Sequence, residues 1–288
     1  MGTALEITYD YVIPTCTSTL MHPLVYARTM MMLGYEPDPP VLRPTFYTLI
    51  NKNYRRYMYP GVFTYLTRLR EEIGLWNLFT TGLPASILGS YCKSYAMEKA
   101  MERMTTCVFR KSFYVTDKGV KVFLIETSKL MAARMIGVTV SYPFQVIMIR
   151  QMAEFVGSNG TCSNLLLAIP RIIKEEGLLS LFSGLIPRLL GEMFTVWMIS
   201  CFVYVLNQYI FVQGVDPSIK QHTPMIAAMM VSSATHPLTV TSTVMAISCS
   251  DVQLALPFRN WWECYRFLSD KGALGRGSSL FFRSAPPL

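Results

Sequence analysis

Two stretches of the chain carry no charged residue over lengths that suit a membrane-spanning helix. They are Met193–Val215, with 23 residues, and Gln221–Ser250, with 30 residues when histidine is counted as neutral. A helix that crosses a bilayer needs about 20 consecutive apolar residues. The pattern therefore predicts two membrane helices before any other feature is considered.

Three further apolar stretches are long enough to cross a bilayer but contain charged side chains. They are Ile7–Leu33, Gly82–Met101 and Leu124–Met152. Soluble amphipathic helices are one interpretation of such stretches. Ionisable residues at membrane depth, however, usually face the interior of a helix bundle or a water-filled cavity. Because the charge-free runs already indicate a bilayer, the pattern favours five spans with a polar interior.

Shorter segments between the predicted spans have an amphipathic pattern. Apolar and charged residues share helical spacing in Tyr65–Ile73, Leu165–Glu176 and Trp261–Ser269, which predicts short helices along the membrane surface. The segment Glu36–Pro44 holds four prolines in nine residues. It is predicted to be a loop without regular structure, since proline removes a backbone donor and fixes its own φ.

The composition supports the membrane assignment and narrows the chemistry. Of the 288 residues 51% are hydrophobic and 15% are charged, whereas a soluble domain has about 25% charged residues. The net charge of +8 is spread along the chain without a nucleic-acid-binding motif, so we expect membrane lipids rather than nucleic acid as partners. The first ten residues lack lysine and arginine, so no cleavable targeting segment is expected.

Neither a metal site nor an enzyme is predicted. The seven cysteines form no CxxC pair, and the three histidines have no metal-ligand spacing with them, so free thiols and no metal are expected. No nucleophile–base pair or phosphate-binding loop stands out. We therefore expect a protein without a cofactor and without enzymatic activity.

A repeat of roughly 100 residues organises the chain. Three prolines, Pro23, Pro143 and Pro237, lie in apolar stretches in similar contexts, 120 and 94 residues apart. Each is expected to kink its helix. A second shared element ends in each copy at a glycine, and these glycines are Gly82, Gly184 and Gly277. The pattern predicts three pseudo-repeats related by a pseudo-threefold axis, over residues 1–106, 107–212 and 213–288.

The order of these elements resembles the signature of the mitochondrial carrier family, P-x-[DE]-x-x-[KR] followed at a distance by an acidic-Gly element that ends in aromatic-x-Gly. The middle copy is the most specific, because Pro143, Arg150, Glu176, Gly177, Phe182 and Gly184 occur in the family's order. Residues 184–192 (GLIPRLLGE) and 276–283 (RGSSLFFR) are similar to one branch in particular, the mitochondrial carrier homologs of the outer membrane. The implied fold is an all-α, carrier-like helix bundle.

The chain departs from a working solute carrier at the positions that close the bundle. The resemblance implies six helices whose charge pairs, after the three prolines, link neighbouring helices at one end. The acidic positions here hold Val25, Gln145 and Thr239, and the basic positions hold Arg28, Met148 and Ser242. Five of the six charges are therefore absent, and we expect no ionic gate that could switch in alternating access.

A sixth membrane helix is also expected to be missing. Only eleven residues follow Gly277, and eleven helical residues cover about 16 Å of a hydrocarbon layer of about 30 Å. Five helices of a six-helix cylinder leave one wall open. The polar lining of the cylinder would then face lipid through a lateral slot.

The resemblance to the mitochondrial carrier homologs implies a multi-pass outer-membrane protein that inserts tail-anchored and other α-helical membrane proteins. It also implies links to lipid scrambling and to docking of an apoptotic regulator. A polar slot supplies a reason for insertion, because a charged side chain at the bilayer centre costs about 2.5–3.5 kcal/mol. A receptor or scaffold that binds a partner helix, and a divergent solute carrier, are the alternatives.

Charged residues within the predicted spans, or just before the span that begins at Met193, are the candidate residues of this groove. The first two are Arg28 and Glu192, and the others are Arg188, Lys93, Glu126, Lys129 and Arg134. A local ion pair four residues apart is the alternative for Arg188 and Glu192. The alternative for Lys93, Glu126, Lys129 and Arg134 is that they extend to lipid head groups at the ends of the spans.

Overall fold

The computed structural model describes residues 13–44, 55–109, 120–157, 165–206, 217–248, 250, 254–281 and 283–285. These residues are mostly helical. In chain order the helices are α1 (Ile13–Leu20), α2 (His22–Leu33), α3 (Val62–Ile73), α4 (Leu75–Thr80), α5 (Leu83–Phe109), α6 (Val120–Gly157), α7 (Leu165–Glu175), α8 (Leu185–Val205), α9 (Pro217–Ile247) and α10 (Trp261–Asp270). A 3₁₀ helix at Leu178–Phe182 precedes α8.

Helices lie over all five stretches that the sequence predicts as spans. The first stretch holds α1 and α2, and the others hold α5, α6, α8 and α9. Within the described ranges, two segments, Val120–Val156 and Leu178–Val205, are long and apolar enough to cross a membrane. The charge-free run that begins at Met193 covers only part of α8, which begins at Leu185. The rest of that run, residues 207–215, lies outside the described residues.

The three predicted amphipathic segments form α3, α7 and α10. On α3 one face is buried, with Tyr65 and Leu69 at 1% and 0% exposure, while Phe63 on the other face is 71% exposed. On α10, Cys264 and Leu268 are buried in the same way. Each helix thus packs one apolar face onto the bundle.

The all-α prediction is wrong in one respect, because the chain contains a small antiparallel sheet. Its strands are β1 (Val41–Pro44), β2 (Arg55–Tyr59) and β3 (Arg283–Ser284), in the order β1-β2-β3. Part of the proline-rich segment predicted as a loop is therefore a strand. The register pairs Val41 with Met58 and Leu42 with Tyr57. Proline occupies only the last residue of β1, so it leaves the backbone donors of the preceding residues available to the ladder.

The repeat prolines behave in two different ways. Pro143 and Pro237 lie inside α6 and α9, as a kink requires. Pro23 lies instead at the start of α2, after a break at Met21. The Met21 carbonyl accepts hydrogen bonds from the backbone N–H groups of Leu24 and Val25, at 3.0 and 3.1 Å, so a new helix begins there. A proline ring clashes with the preceding helical turn, which accounts for the break.

The proline-containing helices α2, α6 and α9 converge at one end of the bundle. We call this region, residues 26–33, 146–153 and 240–247, the closed end; all of its residues except Arg28 are buried. The Tyr26 hydroxyl donates to the Met152 carbonyl at 2.9 Å. The Thr243 hydroxyl lies 3.7 Å from the Met32 sulfur. The core of the molecule therefore joins the three helices that carry the repeat prolines.

Candidate functional site

The residue before each repeat proline makes the same kind of hydrogen bond. The donors are His22, Tyr142 and His236, and each bonds to the carbonyl of the residue before a repeat glycine, at 2.9, 2.7 and 2.8 Å. The acceptors are Thr81, Ser183 and Arg276. All three donors are buried, with exposures of 1%, 1% and 4%. These bonds were not predicted from the sequence, although a polar residue before each proline indicates them.

The repeat glycines make the next set of contacts, each against the following proline-containing helix. Gly82 packs on Met148 of α6, Gly184 on Ser242 and Met245 of α9, and Gly277 on Arg28 and Met32 of α2. The contacted residues include the three positions where a solute carrier would hold its basic gate charges. The Ser242 hydroxyl donates to the Gly184 carbonyl at 2.9 Å. Close backbone packing therefore joins the helices where ion pairs would otherwise stand.

We expect Gly184→Ala to lower the free energy of unfolding by about 2–3 kcal/mol. A Cβ at Gly184 would lie 2.7 Å from the Ser242 carbonyl oxygen and 2.9 Å from the Met245 Cβ, and its φ is +84°. Gly34→Ala is the matched control, since its φ of 88° and ψ of 16° give the same left-handed backbone and its Cβ would meet only the Arg276 guanidinium, the movable end of a side chain. That control should show only the backbone cost of about 1–2 kcal/mol. Unfolding of the purified protein in detergent measures both, and equal losses would contradict close packing at Gly184.

A cluster of charges lies between α6 and α8. Glu192 accepts from Arg134 Nε at 2.9 Å and forms a second ion pair with Arg188 Nη2 at 3.0 Å. The Glu192 side chain is 12% exposed, and the Arg188 side chain is 21% exposed. We call Arg134, Arg188 and Glu192 the Glu192 cluster. Lys93 on α5 lies within electrostatic range of all three, so three helices contribute charge to one region.

A cavity of about 180 Å³ lies beside this cluster. It is lined by Ala85, Ser86, Gly89, Ser90, Lys93, Ser141, Gln145, Met148 and Arg188. Hydroxyl, amide and cationic groups thus share one concave surface. The Nε of Arg188 is buried and makes no hydrogen bond with protein atoms. A buried donor of this kind requires a partner from outside the protein, which makes the cavity a suitable place for a polar or anionic group.

The structure brings together four of the seven predicted groove residues: Lys93, Arg134, Arg188 and Glu192. The local pair of Arg188 with Glu192, which the sequence left open as an alternative, is present. The second partner of Glu192 was not predicted, because Arg134 lies 58 residues away in the sequence. Glu192 therefore has two cationic partners, and the whole region has an excess of positive charge.

Arg28 adds a further positive charge next to this region. It lies on α2 and is exposed, and it is close enough to Arg188 to experience its charge. Glu126 is exposed and Lys129 is half-buried on α6, about 12 and 8 Å along the helix from Arg134. Among the described residues these three belong to no ion pair. The place of Glu126 and Lys129 in a groove stays a prediction.

Away from the closed end, α1 and α9 expose large apolar side chains. Leu20, at the end of α1, is 69% exposed, and on α9 Met225, Met229 and Met230 are 67%, 67% and 62% exposed. The described residues after α10 form turns and β3 rather than another long helix. An apolar surface of this extent is typical of contact with lipid or with another apolar helix.

The cysteines whose side chains are described, Cys16, Cys92, Cys201 and Cys264, are free thiols, as the sequence predicts. Burial raises the pKa of the Cys264 thiol to about 12, so it stays protonated and serves packing on α10. Cys107, Cys162 and Cys249 lie outside the residues whose side chains are described.

The chain has clear similarity to known proteins. Residues 130–212 match the family model described as mitochondrial carrier protein. Mitochondrial carrier homolog 2 of Mus musculus is 28% identical over 93% of this chain and 90% of its own length. The Bos taurus protein of the same name is 29% identical over the same shares. Mitochondrial carrier homolog 1 of Mus musculus is 29% identical over 92% of this chain and 74% of its own length. The resemblance carried by the motifs is thereby confirmed: the chain is similar to the mitochondrial carrier homologs over more than nine-tenths of its length.

Proposed function

We propose that the protein inserts tail-anchored and other α-helical membrane proteins into the mitochondrial outer membrane through a laterally open polar groove. The observation that carries this proposal is the Glu192 cluster with its neighbouring cavity. Charged and hydroxyl-bearing side chains there stand on helices that are otherwise apolar. Such groups offset the cost of bringing a hydrophilic client segment to membrane depth.

We infer that the groove opens sideways, because among the described residues of the third pseudo-repeat no long helix follows Gly277. The repeated contacts support three equivalent copies, since the residue before each repeat proline donates the same hydrogen bond and each repeat glycine packs against the next proline-containing helix. In the first two copies the glycine leads into α5 and α8. In the third, Gly277 leads into turns and β3. The side of the bundle between α9 and α1 is therefore open to lipid and to clients.

This arrangement predicts five membrane-spanning helices and therefore chain ends on opposite sides of the membrane. Tags placed before Met1 and after Leu288 report the two sides. Protease added to intact mitochondria should remove one tag and leave the other until the outer membrane is opened. If both tags are cleaved, or both are protected, the number of spans is even and the predicted five-span topology is wrong.

We expect no counter-exchange of nucleotides or carboxylates by the protein. The closed end is held by backbone contacts such as that of Gly184 with Ser242. Its ion pair, Arg150 with Glu176, joins α6 to the segment before the 3₁₀ helix rather than two proline-containing helices, so it does not replace the missing gate. Liposomes that contain the purified protein and are loaded with unlabelled ATP or dicarboxylate should take up labelled solute no faster than equally loaded liposomes without the protein. Saturable exchange above that background would instead favour a divergent solute carrier.

We propose lipid scrambling as a second activity of the same groove. Arg28, Lys93, Arg134 and Arg188 outnumber the single carboxylate of Glu192 in this region, and a positive surface attracts the phosphate of lipid head groups. The cavity lies beside Lys93 and Arg188. A head group that passes along it would have hydroxyl and amide partners from Ser90 and Gln145.

Reconstitution tests the insertase proposal directly. Purified protein in liposomes is mixed with a tail-anchored client held soluble by a chaperone, and protease protection of the client tail measures insertion. Protected tail should appear with the protein and not in protein-free liposomes. Client that binds without protection would overturn the proposal and favour a receptor or scaffold.

A further inference from the structure

The residues after α10 cross from the third copy back to the first. We call residues 276–281 and 283–285 the C-terminal strap. At its start the Arg276 carbonyl accepts a hydrogen bond from His236 of α9 at 2.8 Å. A Cβ on the next residue, Gly277, would lie 3.1 Å from Met32 Cγ and 3.3 Å from the Arg28 carbonyl oxygen of α2. The strap therefore contacts α9 and α2 together at the closed end.

Further along, the strap is anchored to α3 and the sheet. The Leu280 carbonyl accepts a hydrogen bond from the Val62 N–H at 3.0 Å. The rings of Phe281 and Phe63 lie 6.0 Å apart. The β3 strand then pairs with β2, and the Ala285 N–H donates to the Tyr57 carbonyl at 2.9 Å. These contacts hold the strap along its length.

Arg283 is the strongest of these anchors. Its side chain is 5% exposed and pairs with Glu36, whose side chain is 17% exposed. Its Nη1 donates to the Pro60 carbonyl at 3.1 Å, and its guanidinium lies 5.4 and 5.0 Å from the ring centres of Tyr59 and Tyr65. Glu36 closely follows the end of α2, so the ion pair ties that end of the helix to the strap. Removing one partner of a buried pair leaves the other charge uncompensated, which is strongly unfavourable.

The contacts of Gly82, Gly184 and Gly277 with the proline-containing helices therefore differ in what holds each glycine in place. Gly82 and Gly184 directly precede α5 and α8, whose own packing holds them in place. No helix follows Gly277 in the described part of the chain. We propose that the C-terminal strap is a latch that holds α2 against α9 at the closed end, and that breaking the Arg283–Glu36 pair frees the seam between these two helices.

Hydrogen exchange of the full chain in nanodiscs, followed by mass spectrometry, tests this latch. In Arg283→Ala, amides of residues 22–33 and 240–247 should exchange at least tenfold faster, while those of 83–104 and 185–205 keep their rates. Arg68→Ala is the control. Arg68 lies on α3 and is an exposed ion-pair partner of Asp38 and Glu71, so its removal should change exchange in neither 22–33 nor 240–247. Unchanged exchange in the seam, or equal acceleration in every helix, would overturn the proposal.

A cross-link provides an independent test in the same protein. Phe63→Cys and Phe281→Cys replace two exposed rings in a background where the accessible native thiols Cys16, Cys92 and Cys201 are changed to serine, and a short bis-maleimide between the two new cysteines would fasten the strap. In the Arg283→Ala background the cross-link should restore slow exchange in residues 22–33 and 240–247. Maleimide on Phe63→Cys alone should not, and failure of the cross-link to slow exchange would contradict a latch. Since neither readout uses a client, these results stand apart from those on insertion.

Discussion

Glu192→Gln should lower the free energy of unfolding by about 2–3 kcal/mol, because it removes the shared carboxylate of two partly buried ion pairs. Glu192 holds Arg134 at 2.9 Å and Arg188 at 3.0 Å, so its neutral substitute leaves two cations facing each other without a counter-charge. Glu126→Gln is the control, since Glu126 is exposed on α6 and should change stability by less than about 0.5 kcal/mol.

Equilibrium unfolding in mixed micelles measures both variants. A second comparison separates the two partners of Glu192. Arg134 is 38% exposed and its loss leaves Arg188 as a partner, so Arg134→Gln should cost about 1 kcal/mol. Equal, small effects for all of these variants would show that the Glu192 cluster is solvated and contributes little to the bundle.

Arg28→Glu should change the ratio of acidic to basic client tails that are inserted by about 5- to 150-fold, in favour of basic tails. The reason is electrostatic, because reversing a charge in a partly desolvated groove alters the barrier by about 1–3 kcal/mol. Arg28 is close enough to Arg188 to experience its charge, so it contributes to the same positive region. Matched clients that differ only in tail charge measure the ratio, at equal abundance of each protein variant.

Arg68→Glu provides the control for this experiment. It makes the same change of charge on α3, where the Arg68 side chain is 53% exposed, and should leave the client ratio unchanged. The opposite reversal, Glu192→Arg, is expected to favour acidic tails. It would also place a third arginine against Arg134 and Arg188, so its abundance must be measured first. An unchanged ratio in Arg28→Glu would remove Arg28 from the client route.

The positions of the long helices could be predicted from the sequence, because a span is a local property of length and apolar content. The limits of the helices were less well predicted. A run defined by the absence of charge began at Met193, although α8 begins at Leu185 after the left-handed Gly184. Arg188 and Glu192 lie within the first turns of α8, and their ion pairs with each other and with Arg134 compensate their charges there.

The features that the sequence did not predict all depend on distant residues. The pair of Arg134 with Glu192 spans 58 residues, and that of Arg283 with Glu36 spans 247. The β1 strand could not be foreseen from a proline-rich segment, since its partner β2 follows an intervening stretch and β3 lies near residue 283. Such contacts are set by tertiary packing, which overrides the local preference of a segment.

Site-specific photocrosslinking tests most directly whether a client passes through the groove beside the Glu192 cluster. A photoreactive residue in place of Ser90 would lie in the cavity. One in place of Leu88, which is 44% exposed, would lie on the opposite face of α5, about 200° away. During insertion of an arrested tail-anchored client, position 90 should form cross-links to the client and position 88 should form few. Cross-links from position 88 alone, or equally from both, would contradict passage through the groove.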